Sequence, residues 1–414
     1  MKKFLKRLGP GLLYAGAAVG VSHLVQSTRA GAMFNFDLVW VLILANILKY
    51  PFFEFGPRYA IATGNNLVDG YNKIGKWAVA LFAVVTFFSM FVFQAAITAV
   101  TVGLISYVLN ITINITALSI IVLLVSLLIL IIGKYSLLDK VIKFIIILLA
   151  LSTIVAVFAA LGIHKEISPE ALTNFTWTRS TDVFFMIAFV GWMPAPIDVS
   201  VWSSVWNIAK TKELGYVPKL KDALTEFRVG YIGTAFLAMG FLAMGALVMY
   251  GTGEAFSQNG TLFSEQLLTM YTVSLGDWAY WIVSIAAIAT MISTTITVLD
   301  AYPRVLNPVY KHLFPNSWKK INNKQHLTWV WLAIIIIGSV MIIAYAAKSM
   351  GAMVSIATTL SFLVAPILAW LNYRVVTDKH MPKDAVPGLF LRVLSWLGIA
   401  FFIGFSIVYL VWVF

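Results

Sequence analysis

The sequence has no cysteine, little charge and few histidines. Without cysteine there is neither a disulfide framework nor a thiolate metal site. Charged residues are 11% of the 414 positions, against about 25% in soluble globular domains, so an ordinary soluble globule is excluded. Acidic residues number 17 against 29 basic ones, which makes anionic ligands scarce. Five histidines and no motif that pairs a nucleophile with a base argue against an enzyme. No cofactor is expected.

What is present is apolar. Hydrophobic residues make up 61% of the chain, in recurring runs long enough to cross a hydrocarbon core about 30 Å thick. The runs predict eleven spans: 11–28, 36–62, 77–107, 115–133, 139–163, 182–208, 225–251, 277–299, 328–347, 351–373 and 389–413. The fold class is therefore all-α and polytopic. The longest loops, 209–224, 252–276 and 303–327, are too short for a core of their own, so 1–414 reads as one membrane domain. The opening "MKKFLKR" with "AGA" after it has the look of a secretory signal. Ten further spans and patterning that continues to residue 36 favour an uncleaved first helix.

Basic residues orient the chain. With the N-terminus inside, only Arg29, Lys165, Arg179 and Lys348 fall outside, while Lys49 and Arg58 lie within the second span. The remaining 23 of the 29 are then on the inner side, as the positive-inside bias requires. The expected location is the plasma (inner) membrane, multi-pass, with the N-terminus cytoplasmic and the C-terminus on the outer side. The net charge of +12 reflects that bias and attraction to anionic lipid, not a nucleic-acid surface. The partners expected are the lipid bilayer and a small solute or ion; oligomeric state is open.

Two spans are interrupted. "AAVGVSHLVQ" (17–26) places Gly20, Ser22, His23 and Gln26 inside the first, and "FFMIAFVGWMPAPIDVSVWSSVW" places Gly191, Pro194 and Pro196 inside the sixth. Proline removes a helical donor and clashes with the preceding turn, so the backbone there needs other partners. An offset of five spans reverses the crossing direction, which is how an inverted repeat places paired breaks around a central site.

The same segments resemble the Nramp family of proton-coupled divalent-metal transporters. The likeness lies in "GPGLLYAG", "QSTRAGA", "LVWVLILAN" with "RYAIATGNNL", "GWMPAP" and "ISTTITVLDAYPRVL". The resemblance implies the leucine-transporter-type five-plus-five inverted repeat with helices 1 and 6 broken, the repeats being 1–163 and 182–373, with 389–413 an extra helix. It also implies alternating access. In the family the first break reads Asp-Pro-Gly-Asn, whose Asp and Asn hold the metal; Gly20, Val21, Ser22 and His23 stand there. The family's Met-Pro-His persists as Met193 and Pro194, with Ala195 in place of His. The third span, "FQAAITAVTVGLI", has no carboxylate where the family carries acidic residues tied to proton movement.

The candidate substrate site thus comprises Gly20, Val21, Ser22, His23, Gln26, Gln94, Thr98, Trp192, Met193, Ala195 and Asp198. Half-helix N-termini at 21–24 and 195–198 aim N–H groups at a shared cavity, which suits a carboxylate or similar group. Losing an acidic ligand accords with a small polar or anionic organic solute in place of a typical transition metal. The alternative is a divergent divalent-metal site built from His23, Met193 and Asp198, although Asp198 at a helix start is also the ordinary cap. A channel-like or sensor protein on the same scaffold is the third reading. The coupling ion is sodium, held by Ser293, Thr294 and Thr295 by analogy with this architecture, or a proton carried by His23. Lys49, Glu54 and Arg58 read as structural, Glu54 pairing with Arg58 four residues on. Asp300 and Arg304 read as a gate or packing pair.

Overall fold

The computed structural model describes residues 10–132, 135–346 and 349–413. The basic N-terminal tail and Lys348 lie outside the described residues. Sixteen α-helices and no strand occur among the described residues. Eight helices are long and apolar enough to cross a membrane. They are α3 (Val39–Thr63), α5 (Lys76–Val108), α6 (Ile115–Ile132), α10 (Leu220–Met244, continued as a π turn to Met249), α12 (Ala279–Leu313), α14 (Lys324–Met341, continued as a π turn), α15 (Met350–Val376) and α16 (Leu389–Val413).

The other three expected spans are the two broken ones and the fifth. Span one is α1 (Pro10–Ala18), a π turn over Ser22–Ser27 and α2 (Thr28–Phe34). Span five is α7 (Tyr135–Ala160), and span six is α8 (Ser180–Trp192) followed by α9 (Asp198–Leu214). Short helices α4 (Leu67–Ile74), α11 (Gly260–Leu275) and α13 (Pro315–Lys320) complete the set. The protein is all-α among its described residues, with the first and sixth expected spans broken.

Two loop expectations need correction. Residues 252–276 contain α11, capped by the Asn259 side chain, which accepts from the N–H groups of Thr261 and Leu262. Span eight does not stop near 299: α12 runs to Leu313 through Pro303 and Pro308. Its buried face there, Ala301, Tyr302, Val305 and Leu306, keeps it packed where two prolines weaken its own ladder.

Burial sorts the helices. The most apolar windows of α3 and α12 are 67% buried, that of α16 only 17%, so α3 and α12 are central and α16 is a peripheral helix against α3 and α15. Exposed Phe88, Phe158, Phe236 and Val411 belong to outward faces that suit lipid. α5 packs on α12, α15 and α11, while α1 packs on α10 and α3 on α9 and α10. A Cβ on Gly31 would sit 1.9 Å from the Leu242 carbonyl oxygen, and one on Gly245 would sit 2.1 Å from that of Thr28. The first span therefore meets the seventh backbone to backbone, a small-residue contact of the kind that packs membrane helices.

Candidate functional site

The first break is two residues wide. α1 ends at Ala18, and Val19 and Gly20 leave the helix before the π turn begins. Side chains and local N–H groups serve the freed carbonyls. Ser22 Oγ donates to Ala18 O at 2.8 Å, Thr294 Oγ1 of α12 shares its one hydrogen between Thr290 O of its own helix at 2.9 Å and Val19 O at 3.2 Å, and the N–H groups of His23 and Leu24 reach Gly20 O at 3.0 and 2.9 Å. Gly20 has no spare room, because a Cβ there would lie 2.9 Å from Thr294 Oγ1 and 3.1 Å from its methyl carbon. Thr294 fills the space that a larger side chain at position 20 would need.

His23 is fully buried and joins the break to α10. Its Nδ1 lies 2.7 Å from Ser22 Oγ and its Nε2 lies 2.9 Å from Thr234 O. A carbonyl only accepts, so Nε2 carries a hydrogen. Ser22 has one hydroxyl hydrogen to share between Ala18 O and Nδ1. Every contact is satisfied at once only when Nδ1 also carries a hydrogen and donates to Ser22 Oγ.

The second break is wider, from Met193 to Ile197, with Pro194 and Pro196 denying the backbone its donors. Lys49 of α3 supplies the missing ones. Its fully buried Nζ donates to Val190 O at 2.6 Å, Gly191 O at 2.8 Å and Ala195 O at 3.2 Å. Ser361 Oγ of α15 donates to Gly191 O at 3.0 Å. Asp198 opens α9 but makes no capping bond, contrary to the ordinary expectation for that position. Both its oxygens are buried without a hydrogen-bond partner, in the electrostatic neighbourhood of Lys49, Tyr71 and Tyr302.

Between the breaks lies a cavity of about 20 Å³, enough for about one water molecule. Ala17, Ala18, Gly20, Val21 and Ser22 form one wall, and Phe93 and Ile97 of α5 another. Trp192, Pro196, Val199 and Trp202 come from span six, Thr294 and Val298 from α12. No carboxylate reaches this lining. Trp192 stands edge-on to Phe93 at 5.4 Å, and its indole N–H is buried without a partner.

Of the expected substrate residues, Gly20, Val21, Ser22 and Trp192 line this cavity; the others do not. Gln26 Nε2 donates to Thr358 Oγ1 of α15 at 3.2 Å, and Gln94 Nε2 donates to Thr98 Oγ1 at 3.2 Å within α5. Met193 and Ala195 are buried in the break itself. The members of the trio His23, Met193 and Asp198 have different surroundings. His23 spends both ring nitrogens on Ser22 and Thr234, and Asp198 lies toward Lys49 and two tyrosines. Among the described residues no group of three His, Asp or Glu side chains is placed to hold a metal ion.

In α12 the adjacent Thr294 and Thr295 point about 100° apart. Thr294 faces Val19 O, whereas Thr295 Oγ1 meets Thr101 Oγ1 of α5 at 3.1 Å. Arg29, counted to the outer side, is buried in α2 with its guanidinium 5.6 Å from the Phe185 ring centre. In span two, Arg58 Nε donates to Glu54 at 3.1 Å as the spacing predicts, and Tyr50 and Arg228 join the same carboxylate. Asp300 accepts from Arg304 Nε at 2.7 Å and from Trp206 Nε1 at 3.0 Å, tying α12 to α9.

Paired helix breaks around a buried central cavity define a membrane transporter of the leucine-transporter type. The natural resistance-associated macrophage protein-like family model matches residues 11–412, and the chain belongs to that family. An uncharacterized protein from Pasteurella multocida is 36% identical over 409 residues, covering 97% of this chain and 91% of its own. A divalent metal cation transporter from Caldanaerobacter subterraneus is 32% identical over 69 residues, 17% of this chain and 16% of its own. In structure, a mutant of a manganese transporter from Eremococcus coleocola aligns with a TM-score of 0.67 at 13% identity, covering 98% of this chain and 86% of that one. That likeness is one of fold.

Proposed function

We propose that this member of the Nramp family moves a small polar or anionic organic solute by alternating access, coupled to a proton, and does not carry transition-metal ions. The observation that carries the reading is the central cavity. Its wall is apolar apart from Ser22, Thr294 and Trp192 and contains no carboxylate. A dication at membrane depth without anionic compensation is expensive, and the position of the family's metal-binding Asp is Gly20 with Thr294 against it. An unpartnered indole N–H on Trp192 and the N-terminal ends of two half-helices suit an acceptor group.

His23 supports the proton as coupling ion. The neutral ring accepts from Ser22, and the protonated ring donates to it while the hydroxyl turns to Ala18 O. Sodium has less to recommend it, because Thr294 and Thr295 face different neighbours, Val19 O and Thr101. A cavity with room for about one water requires the bundle to open for a solute to enter, as alternating access does. The expected arrangement in the bilayer keeps the N-terminus cytoplasmic and the C-terminus outside.

The test is uptake of small carboxylates and amino-acid-like compounds into proteoliposomes, with manganese alongside. Accumulation of an organic solute that increases with an inward proton gradient and is abolished by a protonophore is the expected result. Gradient-driven manganese uptake would overturn it, and solute flux indifferent to any gradient would make the protein a channel.

A further inference from the structure

Lys49 holds a position that a bound cation could hold. Its stem comes from α3, its ammonium sits among three carbonyl oxygens at the second break, and it is inaccessible to solvent. Three acceptors at 2.6, 2.8 and 3.2 Å match the three N–H donors of an ammonium. A neutral amine has two hydrogens to give, so only the charged form can donate to all three carbonyls at once. The counter-charge is also present: Asp198, fully buried, has two oxygens without hydrogen-bond partners and acts on Lys49 electrostatically. No N–O contact within 4.0 Å forms between them, so the ammonium is held by the carbonyls and balanced by the carboxylate from a distance.

We infer that Lys49 is a resident cation, tethered to the protein at the carbonyl cluster of the sixth-span break, and that it closes this cluster to free cations. Carbonyls turned out of a helix are natural cation ligands, and with a carboxylate nearby they form the acceptor half of a cation site. Here the site is filled from within. The ammonium satisfies Val190, Gly191 and Ala195 without a bound ion, and its charge repels any dication approaching the break. Specificity is then set by an added repulsive element as well as by absent ligands. The inference concerns the same break as the proposed function and rests on that reading only for its consequence in transport. Its test reads cation binding, not uptake, so either can fail alone.

The experiment compares full-length purified protein with Lys49→Ala and Lys49→Gln, titrated with methylammonium, tetramethylammonium and manganese while thermal unfolding is followed. The parent should respond to none of them. Lys49→Ala should be stabilised saturably by methylammonium, which fits the vacated space, and not by the bulkier tetramethylammonium. Lys49→Gln keeps an amide donor toward the carbonyls but no charge. It serves if the alanine variant does not fold, and should be stabilised by methylammonium or manganese at concentrations at least about tenfold below any at which the parent responds. Adding Asp198→Asn to either variant should remove the gain. A folded variant with no cation response beyond the parent's overturns the inference, as does a parent that binds manganese as tightly as Lys49→Gln does.

Discussion

At the scale of single residues, electrostatics decides what the centre of this protein tolerates. Two unit charges about 4 Å apart interact by about 4 kcal/mol at an effective dielectric near 20, and a dication doubles that. Against the Lys49 ammonium this outweighs what one Met thioether can return. Restoring a single ligand should therefore fail. Gly20→Asp is expected to cost about 1–3 kcal/mol through overpacking against Thr294, seen as a lower unfolding temperature, without creating manganese binding by calorimetry. Manganese binding in that variant would show that the missing Asp alone sets the substrate.

His23 gives a second expectation at this scale. Replacing it by Ala removes its hydrogen bonds to Thr234 O and Ser22, at about 1–3 kcal/mol for two buried hydrogen bonds lost. The variant should still purify as a folded helical protein but lose proton-driven uptake. Uptake that keeps its dependence on outside pH in the Ala variant would remove His23 from coupling. Neither role was fully legible in the sequence. The two residues could be seen as polar intrusions, but the partners lie 141–146 positions away for Lys49 and 211 for His23, beyond what local pattern carries.

At the scale of elements, the spans follow from hydropathy and helical period, and the two breaks from Gly20 and from Pro194 with Pro196. α11 escaped because its 16 residues mix polar and apolar positions without a membrane-length run. The far half of α12 escaped because Arg304, Lys311 and two prolines read as a helix end, whereas its packing sustains the helix. What joins the elements is side chain to backbone. Thr294 sets α12 against the first break, its hydroxyl shared between Val19 O at 3.2 Å and Thr290 O at 2.9 Å. Thr294→Val should cost about 1 kcal/mol, the worth of a typical buried hydrogen bond. Unfolding at low and high sodium should show the same loss. A loss that appears only when sodium is present would place a sodium ion at that hydroxyl.

At the scale of the whole molecule, orientation and substrate class each have a direct test. The absence of cysteine makes the topology directly measurable, since any introduced thiol is the only one in the chain. Glu254→Cys should react with an impermeant maleimide on intact cells, while Lys319→Cys should react only after permeabilisation; the reverse pattern would invert the protein. Substrate class follows from the sum of the parts: a cavity wall without a carboxylate, a first break whose carbonyls are already bonded, and a second break held by an internal ammonium. The most direct measurement is calorimetric titration of the purified protein with manganese, with magnesium as control. No saturable heat with either ion is the predicted result. Saturable micromolar-scale manganese binding, lost in Asp198→Ala, would contradict it and show a metal site built on the carboxylate of the second break.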